Sequence, residues 1–202
     1  MINRRRFIQS SSLATLPLWS GTKFAFGSQA EAAISEFPLY TVVYDEESPD
    51  SIAFANEAER MGQHTSAISN GDVTKLWYDD LYHHWKQAPV AIGGLTTLDA
   101  FFCLEIFGND AGLRRVLKVE HRREEDAVKH QSFGMDIALD DHVLGQDAWS
   151  ERMAQILINS SFPKTRTTEK FISMTHSENK GQGLDAHSTL VSWMIAPRQV
   201  AS

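Results

Sequence analysis

A single cysteine, Cys103, stands in 202 residues. That excludes an internal disulfide, a cysteine-built zinc site, a c-type haem attachment and an iron–sulfur cluster needing four thiolates from this chain. No His-x-x-x-His pair, Gly-x-Ser-x-Gly elbow or Cys–His–Met copper pattern occurs, so the common metalloprotease, hydrolase and copper signatures are missing. Nor does any stretch hold the roughly 20 uninterrupted apolar residues that a spanning helix needs. Positive charge is scarce: 19 Lys and Arg face 26 Asp and Glu, for a net −7. Residues 1–30 contain Arg4, Arg5, Arg6 and Lys23 but no acid, so the rest of the chain carries about −11. A body this acidic repels phosphate backbones and anionic bilayers, and neither nucleic acid nor a membrane surface is expected as a partner. Hydrophobic residues at 42 % and charged residues at 22 % suit one soluble domain with a real core.

The basic front end has its own pattern. Asn3, Arg4, Arg5, Arg6, Phe7, Ile8 and Gln9 are followed by a short apolar stretch over residues 13–19, then by Lys23 and small residues around Ala30. The segment resembles the bacterial twin-arginine (Tat) signal peptides, through Arg4, Arg5, Phe7 and Ile8. Asn3 stands where that family favours Ser or Thr, and Gln9 where it favours Lys. The resemblance implies a signal peptide over residues 1–30, cleaved between Ala30 and Ala33, with the Tat translocase as a partner during export and a periplasmic destination. No lipobox cysteine accompanies it, and no membrane anchor is expected after cleavage. Tat substrates as a family cross the membrane already folded. The usual physical reasons are a cofactor loaded beforehand or a companion subunit carried along.

Residues 31–202 read as a single α/β domain. The run 37–44 (FPLYTVVY) is rich in β-branched and aromatic residues and predicts a strand. Ser48-Pro49-Asp50 then opens a helix, with Ser48 as N-cap and Pro49 at the first helical position, and Gly62 closes it. Residues 64–69 predict a second strand, and Asn70-Gly71 a turn. Val73, Leu76, Trp77, Leu81 and Trp85 form an apolar helical stripe that stops at Pro89. Residues 90–94 (VAIGG) predict a third strand. Thr96 is then placed as N-cap of a helix over 97–107 that is apolar nearly all round, which implies burial or coverage by another element. Residues 115–120 predict a fourth strand. The alternation βαβαβαβ over 37–121 implies right-handed crossovers and a mostly parallel sheet, and analogy with three-layer α/β folds gives the expected order 2-1-3-4. Beyond it, 122–129 reads as a charged helix or loop. Trp149, Met153, Ile156 and Leu157 mark a C-terminal amphipathic helix. Residues 170–175 and 189–196, with Gly181 and Gly183 between them, suggest an antiparallel hairpin added at the sheet edge.

Ligands of open α/β sheets bind beyond the carboxyl ends of the strands. Those ends place Asp45, Asn70, Thr96, Thr97, Glu120 and His121 on one edge, as a candidate ligand crevice. Cap and turn chemistry explains the same residue types without any ligand. The segment Gly93-Gly94-Leu95-Thr96-Thr97 leads from strand to helix but lacks the Lys of a P-loop and the third glycine of a dinucleotide fingerprint. His83 and His84 follow Asp79 and Asp80 at i,i+4 and are weak metal candidates, since wet helix-face ion pairs share that spacing. Cys103, in a helix of Phe and Leu with no basic neighbour, reads as an inert thiol. Glu105 is either an exposed rim residue or a paired acid. No catalytic residue or cofactor is named by these patterns. The best functional expectation is a non-catalytic accessory or small subunit of an exported redox enzyme, docking through aromatics around Trp77, Trp85 and the Phe-rich helix. The alternatives are a small-molecule binder or enzyme at the strand ends, and a metal carrier.

Overall fold

The structure is a computed structural model that describes residues 38–124, 127–133, 148–159, 172–176 and 189–198, the segment 172–176 by its backbone alone. The leader with Arg4, Arg5, Phe7 and Ile8, the cleavage region from Ala30 to Ala33, and Gly181 and Gly183 lie outside the described residues.

The chain is an α/β protein built on a mixed sheet. Strand β1 (Leu39–Asp45) leads to helix α1 (Pro49–Arg60), then to strand β2 (Thr65–Ile68). A helical segment follows in three pieces: α2 (Thr74–Leu76), a π-helical turn (Trp77–Leu81) and α3 (Tyr82–Gln87). Next come β3 (Ala91–Thr97), α4 (Leu98–Asp110), β4 (Leu113–Glu124) and β5 (Ala127–Ser132). Helix α5 (Trp149–Asn159), β6 (Ile172–His176) and β7 (Thr189–Pro197) complete the described elements.

Local chemistry accounts for the first half. Ser48 caps α1 by accepting the Ser51 amide, with Pro49 in the first turn, because proline's missing N–H costs nothing there. Gly62, at φ 84°, closes the helix in the left-handed conformation glycine tolerates. Asn70 and Gly71 both take positive φ in the turn after β2. The next cap differs from expectation. β3 runs through Thr97, which becomes the N-cap of α4 without a side-chain cap bond, while Thr96 stays in the strand and is fully buried.

The sheet order is β2-β1-β3-β7-β4-β5-β6. The β2-β1-β3 part is parallel, in the expected order. The remainder departs from a mostly parallel sheet: β7 lies between β3 and β4, antiparallel to both, and β5 and β6 continue antiparallel. The expected terminal hairpin at the edge is corrected accordingly. β6 pairs with β5, and β7 sits in the middle of the sheet. The physical reason is visible in β7 itself, where every residue from Leu190 to Ala196 is buried. A strand with no polar face cannot sit at an edge with one side in water. Residues 122–124 also depart from expectation. They extend β4 instead of starting a helix or loop, and β5 returns along them.

Strand side chains alternate between faces, and the core divides accordingly. Val42, Leu95, Leu117 and Met194 pack with Phe54 and Ala58 of α1 and with Trp149, Met153 and Leu157 of α5. Val43, Ile92, Trp193 and Ile195 pack with Leu76, Leu81 and Trp85, and with Phe101 and Leu104 of α4. Polar ties fix the helices. Glu57 of α1 takes a two-pronged bond from Arg60 at 2.5 and 2.7 Å and another from Gln155 of α5 at 2.6 Å. The Arg60 bond first, then the Gln155 bond, lower its pKa to about 2. Arg123 of β4 reaches Asp50 of α1 at 2.8 Å.

Gly94 of β3 stands opposite Val43 of β1, whose backbone occupies the space a side chain would need. A Cβ there would sit 2.2 Å from the Val43 carbonyl oxygen, and two paired strands cannot separate to admit it. Gly94→Ala is expected to cost about 3 kcal/mol. Gly62→Ala, with nothing within 4 Å of the new methyl, should cost only the left-handed strain of about 1 kcal/mol. Urea denaturation of the two variants checks the ranking, and equal losses would contradict the close approach at Gly94.

Candidate functional site

The strand-end residues occupy three places. Asp45 is buried at the end of β1, and its carboxylate accepts the Glu47 amide at 3.1 Å and the Gly71 amide at 2.9 Å. Its own amide donates to Ser51 Oγ, which in turn donates to the Leu95 carbonyl. Asp45 therefore ties β1, the start of α1 and the turn holding Asn70 into one knot, with both carboxylate oxygens engaged by the backbone. Asn70 is exposed at the tip of that turn, and Thr97 closes over Gly71, leaving no room for a side chain there.

Thr96 and Glu120 form the second place. Both stand opposite Val191, one on each side of β7, so about 10 Å of sheet separates them. Thr96 Oγ1 accepts the Trp193 indole N–H at 2.9 Å. Glu120 pairs with Lys118 at 2.7 Å, and the Lys118 ammonium lies 5.8 Å from the centre of the Phe101 ring. These groups belong to the α4 side of the sheet.

His121 turns to the other side. Its Nδ1 lies 2.6 Å from Nδ1 of His130 on β5, its Nε2 lies 2.8 Å from Ser192 Oγ on β7, and Trp149 of α5 lies over both imidazoles at 4.5 and 5.3 Å between ring centres. His121, His130 and Ser192 are all buried. The sequence had marked His121 alone. His130 and Ser192 were missed, although β-strand alternation does carry a signal: His121 and His130 face each other in register across the β4–β5 pair. A contact between two Nδ1 atoms holds one proton, donated by one ring and accepted by the other. The chain hydroxyl–imidazole–imidazole has the connectivity of a nucleophile, a base and an orienting group. Here it is sealed under Trp149, and it clamps β5, β4 and β7 together.

His83 and His84 lie exposed on α3. His84 Nε2 is 3.6 Å from Asp80, which also accepts the Tyr40 hydroxyl at 2.7 Å. Burial first, then the Asp80 bond and charge, push the Tyr40 pKa up to about 12. Among the described residues, no group of three or more His, Cys, Asp or Glu gathers as a metal site. Beside β2, a groove of about 540 Å³ runs between the strand and the helical segment, lined by Glu46, Ser66, Ser69, Asp72, Lys75 and Asp80 among others. Cys103 is free and half-buried, and Glu105 is paired with Arg115 at 3.0 Å.

The aromatics expected to form an exposed face divide. Trp85 is buried and donates to the Val90 carbonyl at 3.2 Å, while Trp77 is half-buried and stacks on Phe107 at 4.3 Å between ring centres. Trp85 presents no surface and Trp77 only part of its ring system. The Phe-rich helix presents a face: Leu98, Phe102 and Ile106 of α4 are 41, 58 and 43 % exposed. Their i, i+4, i+8 spacing sets them in one row, with exposed Asp99, Asn109 and Asp110 beside it. The expected coverage of α4 is thus met on one side only, through Ala100, Phe101, Leu104 and Gly108.

No family model, curated protein or solved structure significantly matches this chain.

The histidine pair generates a pH dependence. Burial first, and the charge of His130 second, hold the His121 pKa well below its ordinary value. In the unfolded chain the same imidazole protonates near pH 6.5, so the unfolded state binds more protons below that pH. The stability from the neutral pair is complete above about pH 7 and is lost as the pH falls. One such site costs about 1.4 kcal/mol between pH 7.5 and pH 5.5. Urea denaturation at the two pH values should show this loss, reduced in His121→Gln. An unchanged slope in the variant would assign the dependence to other groups.

Proposed function

We propose that this protein is an exported, non-catalytic accessory subunit that docks on another protein through the outer face of α4. The observation that supports the reading best is the row Leu98, Phe102 and Ile106, left in water on a helix whose opposite side is fully buried. Water penalises such a row, and burying it on a partner recovers roughly 25 cal/mol for each Å² of apolar surface covered. Contiguous exposed apolar rows mark interaction sites more often than isolated exposed side chains do. The engagement of the Asp45 carboxylate, Thr96 and the His121–His130–Ser192 chain inside the fold supports the same reading, because these polar groups serve internal ties.

The finer architecture belongs to this proposal as well. Helices on both faces make the domain three-layered, with the C-terminal helix α5 closing the face opposite α4. The twin-arginine resemblance at Arg4, Arg5, Phe7 and Ile8 completes it. The domain folds before export, its companion is an exported redox enzyme, and the destination is the periplasm. Among the described residues, no helix is long and apolar enough to cross a membrane.

A second reading keeps small-molecule chemistry at His121. The 2.8 Å contact between Ser192 Oγ and His121 Nε2 favours it. It requires Trp149 and α5 to lift, and a fluorophosphonate probe would then label Ser192. The docking reading expects no label.

Two measurements test the docking reading. Changing Arg4 and Arg5 together to Lys is expected to keep the precursor in the cytoplasm. Delivery to the envelope despite the change would remove folded export. Native mass spectrometry of the exported protein is expected to show a heteromeric complex that Phe102→Asp dissociates while the domain keeps its fold. A wild-type protein that is only ever monomeric would overturn the accessory role.

A further inference from the structure

Resting on that docking reading, we infer that the partner presents a basic amphipathic helix to α4, its apolar row meeting Leu98, Phe102 and Ile106 and its cations meeting Asp99 and Asp110. The argument is one of charge. Helix α4 carries three acids, Asp99, Glu105 and Asp110, and no base. Glu105 is answered from within the domain by Arg115 at 3.0 Å. Asp99 and Asp110 are exposed, and among the described residues neither has an ion pair.

The two acids differ in what the helix does to them. Asp99 lies in the first turn, where the positive end of the helix dipole favours it. Asp110 is the last residue of α4, where the unpaired carbonyls make a negative end, and the last turn holds no cation. Its charge is therefore opposed by its own helix and unanswered among the described residues, and a cation brought by a partner relieves both. The two carboxylates are about 16 Å apart along the axis and the apolar row is about 12 Å long. A partner helix of three to four turns with an apolar ridge at i, i+4 and i+8 fits that row in the common ridge-into-groove manner.

The other occupants suit the face less well. A second copy of this chain, related by a two-fold axis, sets acids against acids at both ends of the row. An anionic bilayer meets the same repulsion.

The test uses the full chain and three synthetic helices of about 18 residues. They share a Leu ridge at i, i+4 and i+8 and differ only in its flanks, which are Lys, Gln or Glu. Fluorescence anisotropy is expected to show the Lys helix binding about tenfold tighter than the Glu helix at low salt, with the advantage shrinking at high salt. Asp99→Asn with Asp110→Asn should bring the Lys helix to the level of the Gln helix, and Phe102→Ser should weaken all three. Equal binding of the Lys and Gln helices to the wild type would overturn the basic partner and leave the docking face standing. Failure of all three to bind would remove both. Self-association in sedimentation that Phe102→Ser abolishes would put a second copy in the partner's place.

Discussion

The position of β7 is the constraint on which the rest of the structure depends. β3 and β4 are consecutive strands joined by α4, yet they do not pair. The gap between them is filled by the last strand of the chain, which bonds to both. Without β7 the sheet is two separate pieces, a parallel unit of β2, β1 and β3 and an antiparallel unit of β4, β5 and β6. The side-chain ties follow the same geometry. Trp193 reaches Thr96 on one side and Ser192 reaches His121 on the other. Such a join is non-local, because about 90 residues separate β3 from β7, and its loop-closure entropy must be met before the contacts form.

That constraint explains why polar residues in the middle of the sheet are taken up by structure. A central strand buried on both faces favours paired polar side chains, since an unpaired buried donor or acceptor costs about 1–3 kcal/mol. Arg114 Nε, opposite Ala196, is the buried side-chain atom left without a partner among the described residues. Ser192, His121 and His130 satisfy one another beneath Trp149, and Thr96 satisfies the Trp193 indole. The outer side of α4 stands in contrast. It lies on the far side of a helix whose inner face already packs on β7, with Gly108 allowing close approach to Ile195. Among the described residues its apolar row is left exposed and its two outward acids, Asp99 and Asp110, have no ion-pair partner.

Much of the first half of the chain was legible from local chemistry. The Ser48-Pro49 cap, the Gly62 stop, the Asn70-Gly71 turn and the apolar run of β3 each act over a few residues, and the βαβ alternation marks the parallel pairing of these strands, whereas their order 2-1-3 was expected only by analogy with three-layer α/β folds. The less legible parts depended on distant partners. The π-helical turn at Trp77–Leu81 keeps the Leu76, Leu81 and Trp85 stripe and so leaves no trace in periodicity. The β4–β5 pair was hidden because charged Arg122 and Arg123 read as solvated, although His121 and His130 alternate inward beside them. In the candidate site, His121 was marked for its place at a strand end, whereas its neighbours Ser192 and His130 are 71 and 9 residues away in the chain.

The sequence by itself determined the α/β class, the cap and stop of α1, the turn after β2, and the excess of negative charge, because these rest on composition and on contacts between near neighbours. Only the tertiary structure decided that β7 would enter the centre of the sheet, that Trp85 would be buried while Phe102 stayed in water, and that His121 would face away from Thr96 and Glu120. Each of those outcomes depends on which face of the sheet a residue meets. That is set by strand register and pairing between segments far apart in the chain, where no local pattern reaches.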